Sequence, residues 1–361
     1  MPPTFTSILF SVTEACHVGC SHCGFIGSTR DRDVDANELR EWVANACAYG
    51  IPKIIFTGGE PFERFEVLRD AVATAAAWSV EIGVFTSSFW GSSFDAAATL
   101  LDKLSGLTHL YLSSDRFHQR RVPLAFVCNV IDAALKREIK DISICITYTH
   151  EEERLETQQQ FASYGERLMF HFDRVIPTQF LSPIVLKNQS RGIGTAPSEY
   201  GCSCYLGTPI VNPNGDVFSC HAGKAAAHAD MQTLPYYLGN LRGASFEALM
   251  RMSERRWDYQ FLRTHGPKGV AQLFSIYPDL ASAVGRQEFT NGCDMCFSVL
   301  RNREGRAALG HHVSKASVQD SINQRLVISL GEEPIEGEGP NSTKGEANAT
   351  KRKECYPNGC A

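Results

Sequence analysis

Cysteines dominate the chemistry available to this 361-residue chain, which has thirteen of them. Cys16, Cys20 and Cys23 crowd one segment with C-x3-C-x2-C spacing; Cys202, Cys204 and Cys220 form a second group, and Cys293 and Cys296 a third. An odd total argues against a complete set of disulfides and for thiolates held for metal. Three thiolates on one tight loop can take three corners of a cubane iron-sulfur cluster, leaving the fourth iron open to substrate or cofactor. The C-x2-C element also suits half of a zinc site, so zinc stays open on spacing alone. Cys47, Cys128 and Cys145 stand alone in apolar patterns and are expected to be buried small hydrophobes. Cys355 and Cys360, at the terminus, could bind metal, resemble a modifiable peptide, or be two reactive thiols on a mobile end.

These groups need a frame. From Ser7 to about Arg174, short β-branched or apolar runs alternate with amphipathic stretches, the pattern of a parallel sheet with crossover helices. Six strands are expected: Ile8 to Thr13, Lys53 to Thr57, Val80 to Thr86, Leu107 to Ser113, Ile142 to Thr147 and Leu168 to Arg174. The first helix is signposted by Asp35 as cap, Glu38 three residues on, a stripe of Leu39, Trp42, Val43, Ala46 and Tyr49, and Gly50 as terminator. Further helices are expected at Phe65 to Trp78, Asp95 to Leu104, Val122 to Lys136 and Glu151 to Tyr164. Six β/α units suit an incomplete barrel rather than a closed eight-fold one.

In such folds the chemistry collects at the carboxyl ends of the strands. The first strand runs into the cysteine triad, the second into Gly58-Gly59-Glu60-Pro61, the third into Ser87-Ser88 and the fourth into Ser113-Ser114-Asp115. Two glycines let a ligand approach the backbone, and the carboxylate of Glu60 suits an ammonium group. Asp115-Arg-Phe-His118 sits at the barrel mouth; His118 reads as a hydrogen-bond donor or proton relay facing substrate, or blandly as a surface histidine beside a capping aspartate. Asp173 and Arg174 read as a substrate clamp or as a structural ion pair.

Beyond about Phe180 the texture turns to Pro, Gly, Asn and Ser. Pro-Asn-Gly between β-forming pairs near residues 209–218 reads as a hairpin. Residues 1–180 are therefore expected to form the barrel, 181–330 a smaller cysteine-rich α+β module, and 331–361, almost without apolar residues, a disordered tail. With only a few residues before the first strand, no leader-binding domain is expected to be fused at the front.

Composition narrows the rest. Hydrophobic residues make up 43% and charged residues 21%, and 35 basic against 40 acidic side chains give a formal charge of -5. That is ordinary globular usage without the basic field that attracts nucleic acid or anionic lipid, so neither is an expected partner. No apolar run reaches the roughly 18 residues of a membrane helix, and no signal peptide opens the chain, so the cytoplasm is the expected location.

The cysteine triad after the first strand, with Gly58-Gly59-Glu60 after the second, resembles the radical S-adenosylmethionine (radical SAM) superfamily, over about Ser7 to Arg174. The resemblance implies a partial (β/α)6 barrel whose Cys16, Cys20 and Cys23 hold a [4Fe-4S] cluster. Its open iron would chelate S-adenosylmethionine, with Gly58, Gly59 and Glu60 receiving the methionine ammonium. It implies reductive cleavage to a 5′-deoxyadenosyl radical that abstracts hydrogen from a C-H bond, with the electron from a flavodoxin- or ferredoxin-type partner. Ser87, Ser113 and Asp115 match places where the family contacts the methionine carboxylate and ribose, although each serine also reads as a solvated turn. His22 departs from the family's aromatic residue before the third cysteine; an imidazole can still stack on adenine, with less apolar contact.

Cys204, Gly215 and Cys220, followed by Cys293 and Cys296, resemble the SPASM/Twitch extension of such enzymes. This implies one auxiliary [4Fe-4S] cluster, with Cys202 as a substitute for Cys204 and structural zinc as the alternative. Enzymes of this kind commonly modify ribosomally made peptides by thioether, carbon-carbon or epimerised linkages. A small-molecule dehydrogenase, epimerase or decarboxylase is the second expectation, and a non-catalytic iron-sulfur or zinc protein the third.

Overall fold

The computed structural model describes residues 5–23, 33–175, 207–220, 231–285, 288–289 and 292–335. Six strands run parallel: β1 (Ile8–Thr13), β2 (Lys53–Gly58), β3 (Glu81–Thr86), β4 (His109–Ser113), β5 (Asp141–Tyr148) and β6 (Met169–Arg174). Each lies within two residues of its expected start, because β-branched runs bounded by polar turns leave little choice. The crossover helices are α1 (Ala36–Tyr49), α2 (Phe65–Ala76), α3 (Phe94–Asp102), α4 (Leu124–Lys136) and α5 (Glu151–Gln159). α1 begins and ends as its sequence dictates: the Asp35 side chain accepts from the Asn37 and Glu38 N–H groups, and Gly50 closes the helix at φ 94°. α5 is shorter than expected, giving way to a 3-10 turn at Ala162–Arg167.

Strand periodicity separates two faces. Ile8, Phe10, Ile54, Phe56, Ile82, Val84, Leu110, Leu112, Ile142, Ile144 and Ile146 are buried on one. The other carries Ser11, Lys53, Glu81, Gly83, Phe85, His109, Tyr111, Ser143, Cys145, His171 and Asp173. At its amino end, His109 meets Asp141 at 2.7 Å and Lys53 at 2.9 Å, and Lys53 meets Glu81 at 3.3 Å, a charged plug. Above it, Phe85 and Tyr111 stack at 4.4 Å, Tyr111 lying over Gly83, where a side chain would reach within 2.9 Å of its ring. This is a partial barrel, and among the described residues β6 pairs only with β5.

The expected hairpin forms, but not as a sheet of its own. β7 (Ile210–Val211) pairs parallel with β1, and β8 (Asp216–Phe218) and β9 (Tyr237–Asn240) extend the same sheet antiparallel, giving the order β6-β5-β4-β3-β2-β1-β7-β8-β9. The edge of β1 that no crossover covers supplies the pairing groups. The turn expected at Pro-Asn-Gly is there, with Gly215 at φ 86°. A helical part follows: α6 (Phe246–Glu254), α7 (Trp257–Ile276, kinked at Gly266), α8 (Leu280–Val284), α9 (Gly292–Leu300), α10 (Arg303–Val313) and α11 (Ala316–Arg325). Among the described residues no helix is long and apolar enough to cross a membrane.

The stretch expected to be a disordered tail from residue 331 begins ordered. Glu332 pairs with Arg263, whose side chain is fully buried, and the Ile335 N–H donates to Asn323 at 2.8 Å. Two carboxylate oxygens against a buried guanidinium hold a segment that has almost no apolar residues of its own. Residues 336–361, with Cys355 and Cys360, lie outside the described residues. Of the isolated cysteines, Cys47 is buried as expected, but Cys128 and Cys145 are only half-buried. Cys145 belongs to the inner face of β5, which does not pack against the helices.

Candidate active site

The triad loop is fastened onto the end of β2 by main-chain bonds. The Gly59 N–H donates to the Thr13 oxygen at 2.6 Å and the Glu60 N–H to the Ala15 oxygen at 2.9 Å. A Cβ on Gly58 would lie 2.1 Å from the Thr13 oxygen, and one on Gly59 2.0 Å from the Ala15 oxygen. Gly58 also sits at φ 141°. The two glycines are therefore required first by the approach of one backbone to another. The His17 N–H adds a bond to Glu63 at 2.6 Å, just beyond the glycine turn.

Within the loop, Cys20 is buried and Cys16 and Cys23 half-buried. Burial pushes the Cys16 thiol up to about 11, while the Gly19 and Val18 N–H groups hydrogen-bonded to its sulfur pull the other way. Those donors are what a metal-bound thiolate needs. Three thiols on one short loop, with backbone donors already directed at one of them, fit an iron-sulfur cluster.

Glu60 is 1% exposed, and its carboxylate is already occupied. It accepts from the Ser87 N–H (2.8 Å) and hydroxyl (2.6 Å), the Thr86 hydroxyl (2.9 Å) and the Phe62 N–H (3.2 Å). Burial raises its pKa, and these four donors work against that rise. Ser87 thus serves Glu60 and ties the ends of β2 and β3 together. Its neighbour Ser88 stands at φ 68°, fully buried, with a hydroxyl that meets no partner. The sequence places Thr86 and Ser88 at the polar end of the third strand, but no motif gives either a role.

Asp115 is saturated in the same way. It accepts from the Phe117 (2.8 Å), His118 (3.1 Å) and Thr147 (3.1 Å) N–H groups and from His118 Nδ1 at 2.8 Å. His118 is no surface residue: its side chain is 15% exposed and hydrogen-bonded to Cys20. Burial opposes its protonation, but the Asp115 carboxylate and the Cys20 thiol outweigh burial and lift it to about 10. Beside it, burial and then the charge of His118 bring His22 down to about 4. The His22 ring lies 4.7 Å from Phe117 and 5.1 Å from His118, and its Nδ1 is buried without a partner. Ligand atoms of His22, Asp115 and His118 fall within 4.8 Å of one another. With four donors on its two oxygens, however, Asp115 has little left to offer a metal ion.

Ser113 ends β4 in register with Cys145. Asp173 and Arg174, adjacent on β6, point to opposite faces: Asp173 lies on the inner face, while Arg174 stacks over Tyr148 at 6.0 Å. The two side chains therefore do not meet each other.

The second thiol group is partly assembled. Cys293 and Cys296 lie one turn apart at the start of α9, and the Cys296 thiol, raised first by burial, also feels Cys220, which follows β8, and Cys293. The Tyr236 hydroxyl, buried and without a partner, lies beside Cys220 and Cys296. Thiols that feel one another's charge are the soft donors a thiolate-bound metal takes. Cys202 and Cys204 lie outside the described residues.

Residues 10–160 match the Radical SAM superfamily model. Over this segment the chain is similar to radical SAM domains. Among curated relatives, the peptide biosynthesis protein YydG of Bacillus subtilis is 25% identical over 147 residues, covering 40% of this chain and 46% of YydG. The GTP 3′,8-cyclase of Stenotrophomonas maltophilia (strain K279a) is 38% identical over 77 residues, or 20% of this chain and 23% of the cyclase. The chain spans less than half the length of the curated relatives it matches. Among solved structures, anSMEcpe with bound AdoMet and Cp18Cys peptide is 12% identical, with a TM-score of 0.49 over 88% of this chain and 99% of that one. Streptococcus suis SuiB bound to S-adenosylmethionine is 10% identical, with a TM-score of 0.43 over 72% and 68%.

Proposed function

We propose that this chain is a radical SAM enzyme that abstracts hydrogen from a ribosomally made peptide and matures it through a thioether, carbon-carbon or epimerised linkage. The observation that carries this reading is the fastening of the cysteine-triad loop to Gly58-Gly59-Glu60 at the carboxyl ends of adjacent strands. Cys16, Cys20 and Cys23 would hold a [4Fe-4S] cluster, which with S-adenosylmethionine would supply reductive one-electron cleavage as the source of a hydrogen-abstracting radical. Gly58 and Gly59 hold the loop against β2, and Glu60 fixes the turn through Ser87 and Thr86. His22 and Phe117 offer ring surface beside the loop, where an adenine can stack. Cys220, Cys293 and Cys296, with Cys204 or Cys202, would hold an auxiliary cluster, and a flavodoxin- or ferredoxin-type protein would deliver the electron.

The peptide reading is supported by the similarity to YydG and by the inner face. Phe85, Tyr111 and His171 line it with aromatic surface, and Met169, His171 and Asp173 are exposed along the edge strand β6. The similarity to GTP 3′,8-cyclases favours a second reading, a small-molecule radical enzyme.

The test is anaerobic. The reconstituted, dithionite-reduced chain should release 5′-deoxyadenosine from S-adenosylmethionine, and Cys16→Ser should abolish the release. A colourless, zinc-loaded protein that releases none refutes the reading. Deuterium transferred from a labelled peptide into 5′-deoxyadenosine supports the peptide assignment, whereas conversion of GTP to a cyclised nucleotide selects the second.

A further inference from the structure

His118 stands at the barrel mouth, where a histidine facing substrate is the first expectation, yet its ring is engaged within the chain by a carboxylate and a thiol. Nδ1 is held at 2.8 Å by Asp115, which is itself pinned by three backbone N–H groups from two different segments. The ring is hydrogen-bonded on to Cys20, the most buried thiol of the triad. Phe117 and His22 pack around it. An imidazole locked by a carboxylate on one nitrogen has its tautomer and orientation fixed, so the other nitrogen has one direction in which to act. The Cys20 sulfur lies within reach of this fixed ring.

We propose that the Asp115–His118 pair is a positioning and tuning device for the Cys20 thiolate, donating a hydrogen bond to it and raising the reduction potential of the cluster the triad holds. The inference rests on the radical SAM reading, under which Cys20 is a cluster ligand. A hydrogen bond to a ligating sulfur draws electron density from the cluster and favours its reduced, more negative state. Asp115 acts through His118: without the carboxylate, the ring could rotate and Cys20 would lose its donor. Neither residue needs to touch substrate for this.

The experiment is an anaerobic redox titration of the full-length, reconstituted chain, following by EPR the reduced-cluster signal that changes when S-adenosylmethionine is added. His118→Phe keeps a ring and removes the donor; its midpoint should move to lower potential at unchanged iron content. His118→Gln, which retains an N–H donor, should restore part of the shift. Should the Phe variant lose its iron, His118→Asn, too short to reach the sulfur, replaces it in the same comparison and should show the same downward move. An iron-loaded Phe or Asn variant titrating at the wild-type potential overturns the proposal, and so does a Gln variant shifted as far as Phe. A wild-type chain with no signal responsive to S-adenosylmethionine removes the underlying reading instead, a result distinct from equal potentials.

Discussion

Replacing Gly59 with alanine sets a methyl group 2.0 Å from the Ala15 oxygen, 2.6 Å from its carbonyl carbon and 2.9 Å from that of Glu14. None of these atoms is the end of a flexible side chain, so the triad loop itself must retreat. Its retreat breaks the 2.6 Å bond from Gly59 to Thr13 and the 2.9 Å bond from Glu60 to Ala15. At ~1 kcal/mol for each bond, plus ~1–3 kcal/mol for overpacking, the variant should lose about 3–5 kcal/mol of stability. The cysteines move with the loop, so iron bound after reconstitution should fall as well. Gly310, inside α10, has open space where its Cβ would be, and Gly310→Ala should be neutral or stabilising by up to about 1 kcal/mol. Urea unfolding followed by circular dichroism, with iron analysis, reads both variants. A Gly59→Ala protein with wild-type midpoint and full iron would refute the argument that the diglycine serves close backbone packing.

Other outcomes follow from single contacts. Glu60→Gln replaces one oxygen of a carboxylate ringed by four donors with an NH2 group, so at least one donor faces another. It should lose ~2–4 kcal/mol in the same urea assay. Glu332→Ala leaves the buried Arg263 guanidinium without its carboxylate and should lose ~3–5 kcal/mol, whereas the double change Arg263→Met with Glu332→Leu should recover most of that. His265, stacked on Phe261 at 4.7 Å, is lowered to about 4, first by burial and then by Arg325 and His312. Below about 6.5 the unfolded chain binds a proton that the folded chain refuses, so this histidine lowers stability as pH falls from 6.5 towards 4. Because the ring is partly open to solvent, the loss should be no more than ~1–2 kcal/mol, and His265→Phe should flatten that part of the melting temperature against pH.

Elements with local causes were legible in the sequence. The six strands follow from β-branched runs and α1 from Asp35 and Gly50, and the cysteine spacing alone located the triad loop. What escaped was the choice of partner. That Ser87 serves Glu60 depends on β2 and β3 ending side by side, and that His118 turns to Cys20 depends on Asp115 being pinned from β5 by Thr147. Neither follows from residues near in sequence. The hairpin at Ile210–Val211 was visible as a hairpin, but its place beside β1 is a pairing across some 200 residues that no local pattern records. For Asp173 and Arg174 the two-residue strand period already set the side chains on opposite faces, so any role they share must reach two sides of β6.

The two most conspicuous acids of the site, Glu60 and Asp115, look like ligand-binding groups in the sequence, and each proves to be the hub of four hydrogen bonds. Their charges hold strand ends and a histidine in place. Polar groups left over for a ligand are of another sort: the His22 Nδ1 and the Ser88 hydroxyl, both buried and both without a partner among the described residues. A buried polar atom left unpaired costs roughly 1–3 kcal/mol, and Ser88 adds the strain of its left-handed backbone, so neither is a neutral feature of the fold. A ligand that paired with them would recover that free energy. Substitutions at Glu60 and Asp115 should therefore act through geometry and stability. Those at His22 and Ser88 should weaken ligand binding while the urea midpoint holds or rises, and isothermal titration with S-adenosylmethionine separates the two classes.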